Sequence, residues 1–218
     1  MNTTEYESNP YDPIIALTFD DGPNTTTTNQ ILDILKRYRI RASFFIVGDN
    51  INGESALIVK KAYDMGCEIN NHSKTHSLMT EMTAEEIRAE IRFVSDMTEK
   101  ITGEPTRFFR PPYIAVNDIM FQNIDLPFIG GYGCNDWDDS VSVQTRIEAI
   151  ERQACDGMII LLHDSEGNSK TVEALDTIIP DLKDRGFQFV TVSELFKAKG
   201  INVSKSGAVL YERVQRTE

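Results

Sequence analysis

The 218-residue sequence is poor in cysteine and histidine, with three of each, and no two cysteines stand at CxxC spacing. Three cysteines cannot build a disulfide framework. Cys67 and Cys155, each beside an apolar segment, read as buried thiols rather than nucleophiles. No apolar run is long enough to span a bilayer as a helix. No internal repeat, low-complexity tract or linker-like stretch interrupts the chain between Pro13 and Lys199. Met1 to Pro10 is polar and lacks the basic-then-apolar order of a signal peptide. Because Met1-Asn2-Thr3-Thr4 reads as an arbitrary start, the expectation is a secreted protein whose leader lies outside this sequence. Basic residues are also in deficit: 22 Lys plus Arg stand against 34 Asp plus Glu, a net charge of -12. Such a field repels polyphosphate, which argues against nucleic acid as a partner.

What is present suits one domain with a sizeable core, 40% hydrophobic and 26% charged. Short runs rich in β-branched and aromatic residues, bounded by Gly, Pro, Asn or Asp, predict strands at 14–19, 42–47, 67–71, 107–110, 127–131, 158–162 and 187–191. Between them lie amphipathic stretches. Thr83 is placed to cap a helix, with Glu86 at the capping-box position, Gly103 past its end, and Ile87, Ile91, Val94 and Ile101 at helical spacing. Further helices are expected at 28–38, 55–65, 141–156, 171–185 and 193–199, with Pro180 kinking or restarting the fourth of these and a short helix at 117–123. Seven strands alternating with helices imply a parallel sheet, open or closed. The domain is set at 13–200, after an N-terminal extension of 1–12 and before an ambiguous tail of 201–218.

Polar residues gather where the strands end. The first strand runs into Asp20-Asp21-Gly22-Pro23, adjacent carboxylates that repel unless a cation lies near, although Asp-Gly and Gly-Pro are also common in plain turns. The third runs into His72-Ser73-Lys74-Thr75-His76, whose i, i+4 spacing suits a metal pair as well as it suits two solvated loop histidines. Arg110-Pro111-Pro112-Tyr113 follows the fourth, Asp136-Trp137 comes shortly after the fifth, and His163-Asp164 follows the sixth. Chemistry in α/β barrels and open sheets collects at the C-terminal strand ends. All three histidines and the only tryptophan fall there.

From Ile14 to Phe196 the chain resembles the polysaccharide deacetylase family, the NodB-homology domains of carbohydrate esterase family 4. The resemblance rests on TFDDGP at 18–23, HSxxH at 72–76, RPPY at 110–113, DW at 136–137 and LLH at 161–163, in the family's order. It implies a distorted (β/α)7 barrel in a single domain. It further implies Asp20 as catalytic base and Asp21, His72 and His76 as ligands of one divalent metal ion, zinc or cobalt. Arg110 would pair with Asp20, His163 would be the general acid, and Asp136 would tune it. Trp137 and Leu161 would line the acetyl-methyl pocket, with the Tyr113 backbone N–H at the oxyanion and Ser73 bracing the histidine loop. One departure is Gly133, where many members carry an aspartate.

Two histidines and one carboxylate leave coordination positions open, the catalytic rather than the structural pattern for zinc. The same trio makes the facial triad of non-haem iron oxygenases, but the Asp20–Arg110 and Asp136–His163 pairings have no use there. A carbohydrate-binding module without activity would not need the full polar set. The expected substrate is acetylated polysaccharide, with O-acetyl xylan ahead of chitooligosaccharide or peptidoglycan. Residues 130–142 and Glu166-Gly167-Asn168 resemble acetylxylan esterases most, and the acidic charge suits a neutral polymer. Oligomeric state is not legible.

Overall fold

The computed structural model describes residues 12–203 and 208–215. At its centre is β1 (Ile14–Asp20), whose seven residues are all buried, as expected of a strand covered on both faces. One edge of β1 pairs with β5 (Ile159–His163), from Ala16↔Ile159 to Asp20↔His163. The other edge is shared: β6 (Gln188–Val190) pairs with its lower half and β2 (Ser43–Ile46) with its upper half. β2 then pairs with β3 (Glu68–Asn71). Beyond β3 the ring continues through single bridges, Asn71↔Phe109 and Phe109↔Phe128, the latter into β4 (Phe128–Ile129). Tyr132↔Ile160 returns it to β5. These pairings are all parallel, and the ring closes as a distorted barrel.

Strand parity decides which side chains reach the interior, because successive residues face opposite sides. Ile15, Leu17 and Phe19 pack outward with Phe44, Ile46, Ile160 and Leu162 against the helices. Ile14 and Ala16 face inward with Phe45, Phe108, Ile129 and Ile159. The inward parity continues upward to Thr18 and Asp20 on β1 and to Leu161 and His163 on β5. The polar rim of the barrel is therefore the last turn of the same alternation that builds its core.

The outer helices are α1 (Thr27–Tyr38), α2 (Ser55–Asp64), α3 (Ala84–Thr102), α4 (Asp118–Asn123), α5 (Val143–Gln153) and α6 (Ser169–Asp184), with α7 (Val192–Ala198) packing Leu195 and Phe196 beneath the barrel. On α3 the Thr83–Glu86 capping box and the left-handed Gly103 cap (φ 84°) are both present.

Three expectations change. The strand placed at 107–110 shrinks to the bridges of Phe109, because Asn70 Oδ1 accepts the Arg107 and Phe108 N–H groups that a ladder would have used. Pro180 does not restart a helix; α6 runs through it as one helix. A proline leaves the carbonyl four residues earlier without its helical donor, and here the Tyr38 hydroxyl donates to that Asp176 oxygen at 3.2 Å. Residues 210–214, read as tail, belong to the core: β7 (Leu210–Tyr211) pairs with β4, and Val214 is buried. The expected extension, Asp12 apart, and tail residues 204–207 and 216–218 lie outside the described residues. Among the described residues no helix is long and apolar enough to cross a membrane.

Candidate active site

At the C-terminal rim the ends of β1, β3 and β5 and three loops enclose a cleft of about 600 Å³, lined by Asp20, Asp21, His72, His76, Tyr113, Trp137, Leu161 and His163, among others. Asp20 and Asp21 are adjacent yet diverge, because Asp21 adopts φ 77°. Asp20 is buried against Arg110, whose Nη1 donates to its Oδ1 at 2.6 Å and to Thr18 Oγ1 at 2.8 Å. The rest of that fully buried guanidinium donates to the Gly130 and Ile129 carbonyls and lies 4.1 Å from the Phe45 ring centroid. Arg110 thus both braces the sheet end and holds Asp20.

Asp21, His72 and His76 offer ligand atoms that all lie within 4.8 Å of one another. The Asp21 Oδ1 atom is 3.6 Å from His72 Nε2 and 3.4 Å from His76 Nε2. Two further observations bear on whether the trio fits a divalent cation. His72 Nδ1 meets the Arg110 carbonyl at 2.8 Å; a carbonyl only accepts, so Nδ1 carries the proton and Nε2 presents its lone pair to the trio. For His76, burial and repulsion from His72 outweigh Asp21 and Asp20 and lower its pKa, favouring the neutral imidazole a metal needs. Burial works to raise the Asp21 pKa, but the neighbouring imidazoles of His72, His163 and His76 outweigh it and keep the carboxylate ionised. One hard oxygen and two imidazole nitrogens fit zinc or cobalt.

The histidine loop is held from below. Asn71 Nδ2 donates to the Ile91 carbonyl on α3, Asn71 Oδ1 accepts from Ser73 N–H, and Ser73 Oγ accepts from His76 N–H at 3.0 Å. The buried Glu90 of α3 accepts the Thr75 N–H at 2.8 Å. Asp21, Ser73, His76, Tyr113, Ile114 and Asn135 all have left-handed φ values between 55° and 77°. Such conformations are costly for side-chain-bearing residues and cluster where surrounding bonds enforce a site.

At the end of β5, beside Asp20, His163 Nδ1 and Asp136 Oδ1 are 2.8 Å apart, and Asp136 Oδ2 accepts the His163 N–H. Burial penalises the imidazolium, but the Asp136 hydrogen bond and charge, joined by Asp20 and Asp21, outweigh it and hold His163 at about 9. The histidine is therefore satisfied by a carboxylate and not by backbone. Trp137 is 65% exposed, so it serves the cleft and not the core. Leu161 lines the floor, and Tyr113 sets its ring against His76. A Cβ at Gly133 would lie only 3.1 Å from the Leu161 carbonyl, so glycine there lets the 131–137 loop close down over Leu161.

Burial raises the Cys67 thiol to about 11 and the Cys134 thiol to about 12, which removes both as nucleophiles. Cys155 is only partly buried. Asp164, next to His163 and outside the residues assigned a role from sequence, is fully enclosed and accepts from Gly22 N–H at 3.0 Å and Thr28 Oγ1 at 2.5 Å. It fixes the turn that carries Asp20 and Asp21. Its signal was an acidic residue at an inner strand end, where an unpaired charge is costly.

The family model described as Polysaccharide deacetylase matches residues 7–125. The chain belongs to the polysaccharide deacetylase family. Its (β/α) barrel in one domain agrees with that membership, and so does the order of its five motifs. The bifunctional xylanase/deacetylase of Pseudobutyrivibrio xylanivorans is 52% identical over 189 residues, 87% of this chain and 31% of that protein. A peptidoglycan-N-acetylmuramic acid deacetylase of Bacillus subtilis (strain 168) is 38% identical over 191 residues, 87% of this chain and 40% of that protein. The chain thus spans about a third of the length of these polysaccharide deacetylase relatives. A family 4 acetyl xylan esterase from Clostridium thermocellum, solved in complex with a cobalt ion, superposes with a TM-score of 0.90 at 41% identity, covering 92% of this chain and 98% of that one.

Proposed function

We propose that this domain hydrolyses O-acetyl groups on xylan, with Asp20 as general base and His163 as general acid at the paired ends of β1 and β5. Asp21, His72 and His76 hold one divalent cation, zinc or cobalt. When bound, such an ion polarises the acetyl carbonyl and acidifies the attacking water. Asp20, held and aimed by Arg110, takes a proton from the water as the water oxygen bonds to the acetyl carbon. The Tyr113 backbone N–H stabilises the oxyanion. His163, protonated through Asp136 at neutral pH, gives a proton to the sugar oxygen as the ester C–O bond breaks and acetate leaves. Trp137 and Leu161 enclose the acetyl methyl group and exclude water from it.

The observation that carries this reading is the pairing around one cleft: a carboxylate held by a buried arginine stands beside a histidine held by a buried aspartate. An iron oxygenase would have no use for that arrangement. The choice of xylan is supported by the xylanase/deacetylase and acetyl xylan esterase relatives. N-deacetylation of chitooligosaccharide or peptidoglycan is the second reading, favoured by the Bacillus subtilis relative. Acetate release from acetylxylan, N-acetylchitooligosaccharide and peptidoglycan fragments, compared with one metal-loaded preparation, separates the two. Fastest turnover of acetylxylan is expected; faster turnover of either amide would reverse the order.

A further inference from the structure

Arg146 lies on α5, outside every motif, and is 1% exposed. Burying a guanidinium is costly unless each donor finds a partner, and the partners of this one share a single theme. Nε donates to the Val141 carbonyl at 3.1 Å and Nη2 to the Asp138 carbonyl at 3.1 Å, so the arginine clamps both ends of the turn that follows Asp136-Trp137. Nη1 donates to Asn168 Oδ1 at 2.7 Å and to Thr171 Oγ1 at 2.8 Å. Those two side chains face Asp136: Thr171 Oγ1 donates to its Oδ2 at 2.7 Å, and Asn168 Nδ2 reaches the same oxygen at 3.4 Å and the His163 carbonyl at 3.0 Å.

Arginine has donors only. With Arg146 beneath it, the Thr171 hydroxyl must accept from below and donate upward, and the Asn168 amide must turn its oxygen down and its NH₂ up. Both groups are thereby set as donors to Asp136 Oδ2, leaving Oδ1 for His163 Nδ1. We infer that Arg146 is a positioning residue for the proton-donating half of the site, acting through Thr171 and Asn168 on Asp136. This rests on the reading of His163 as proton donor to the departing sugar oxygen.

The test uses leaving-group dependence, since 4-nitrophenyl acetate expels a stable anion that needs little protonation whereas an acetylated xylo-oligosaccharide expels an alkoxide that needs it. In the metal-loaded enzyme, R146M and T171V are each expected to lower kcat on the xylo-oligosaccharide by about 10- to 100-fold, part of the general-acid contribution. Each should stay within about threefold of wild type on 4-nitrophenyl acetate. T171S, which keeps the hydroxyl, should restore the sugar reaction, and the R146M/T171V double variant should lose little beyond R146M alone because Thr171 lies on the route from Arg146 to Asp136. Equal losses on both esters, or none on either, would overturn the assignment. If R146M does not fold, T171V and T171S decide it alone. H163A separates this inference from its premise: a sugar-selective loss in H163A with non-selective losses in R146M and T171V sinks only the role of Arg146. A non-selective loss in H163A sinks the proton-donor reading and Arg146 with it.

Discussion

Two aspartates next to each other in sequence, Asp20 and Asp21, reach different surroundings because one ends a strand and the other turns away in a left-handed conformation. Asp20 meets Arg110; Asp21 meets two imidazoles. Their substitutions should therefore part company. Asp20→Asn is expected to keep metal affinity within a few-fold by calorimetry yet lose about 10²-fold or more in kcat, while Asp21→Ala should weaken metal binding itself. Loss of metal binding in Asp20→Asn with retention in Asp21→Ala would reverse the two roles. On the acid side, Asp136 carries the shift that holds His163 at about 9, so Asp136→Asn leaves the opposing burial penalty in place. The His163 pKa should then fall, and the alkaline limb of the kcat profile should move to lower pH. An unmoved limb would show that His163 does not set it.

At the scale of elements, what was legible in the sequence was whatever local chemistry dictates. The Thr83–Glu86 box and Gly103 marked the ends of α3, and Thr83→Ala should cost about 1 kcal/mol of stability without altering kcat, read by denaturant unfolding beside acetate release. Six of the seven expected strands form because β-branched runs between turn residues suit a buried sheet. Strand 107–110 escaped such reasoning because Asn70, 37 residues away from Arg107, takes its backbone donors. The unbroken α6 escaped it because the compensating hydroxyl comes from Tyr38 on α1. β7 was hidden in a segment without a clear period. The cleft motifs could be read because they sit at strand ends, whereas Glu90, Arg146 and Asp164 support those ends through contacts with other elements. A buried polar residue declares its partner only once the chain has folded.

For the molecule as a whole, the buried titrating groups of the site make stability depend on pH. His163 in the folded chain titrates at about 9 against an ordinary 6.5, so its stabilisation is whole below about pH 6.5 and is lost as pH rises through 9. Burial first, then the nearby charges of Asp21 and Asp20, lift Asp164 to about 7 from 3.8 against the pull of Thr28 and Gly22, so folding is favoured below about pH 4 and that advantage is lost as pH rises to 7. Both run the same way. His76, whose pKa is lowered, runs the other way up to its ordinary 6.5, so chelator-treated protein should unfold at progressively lower temperature between pH 6.5 and pH 9, and Asp164→Asn should remove the loss that Asp164 contributes between pH 4 and 7; a Tm rising from pH 6.5 to pH 9 would contradict the assignment. A bound cation offsets the clustered carboxylates and should raise Tm. The most direct test of the central claim is acetate release from acetylxylan by wild type and His72→Ala, measured after chelation and again after adding zinc or cobalt. Wild type should fall to background on chelation and recover with about one equivalent of metal, while His72→Ala should stay near background in both conditions. Undiminished release by chelated wild type, or full activity in His72→Ala, would contradict the account.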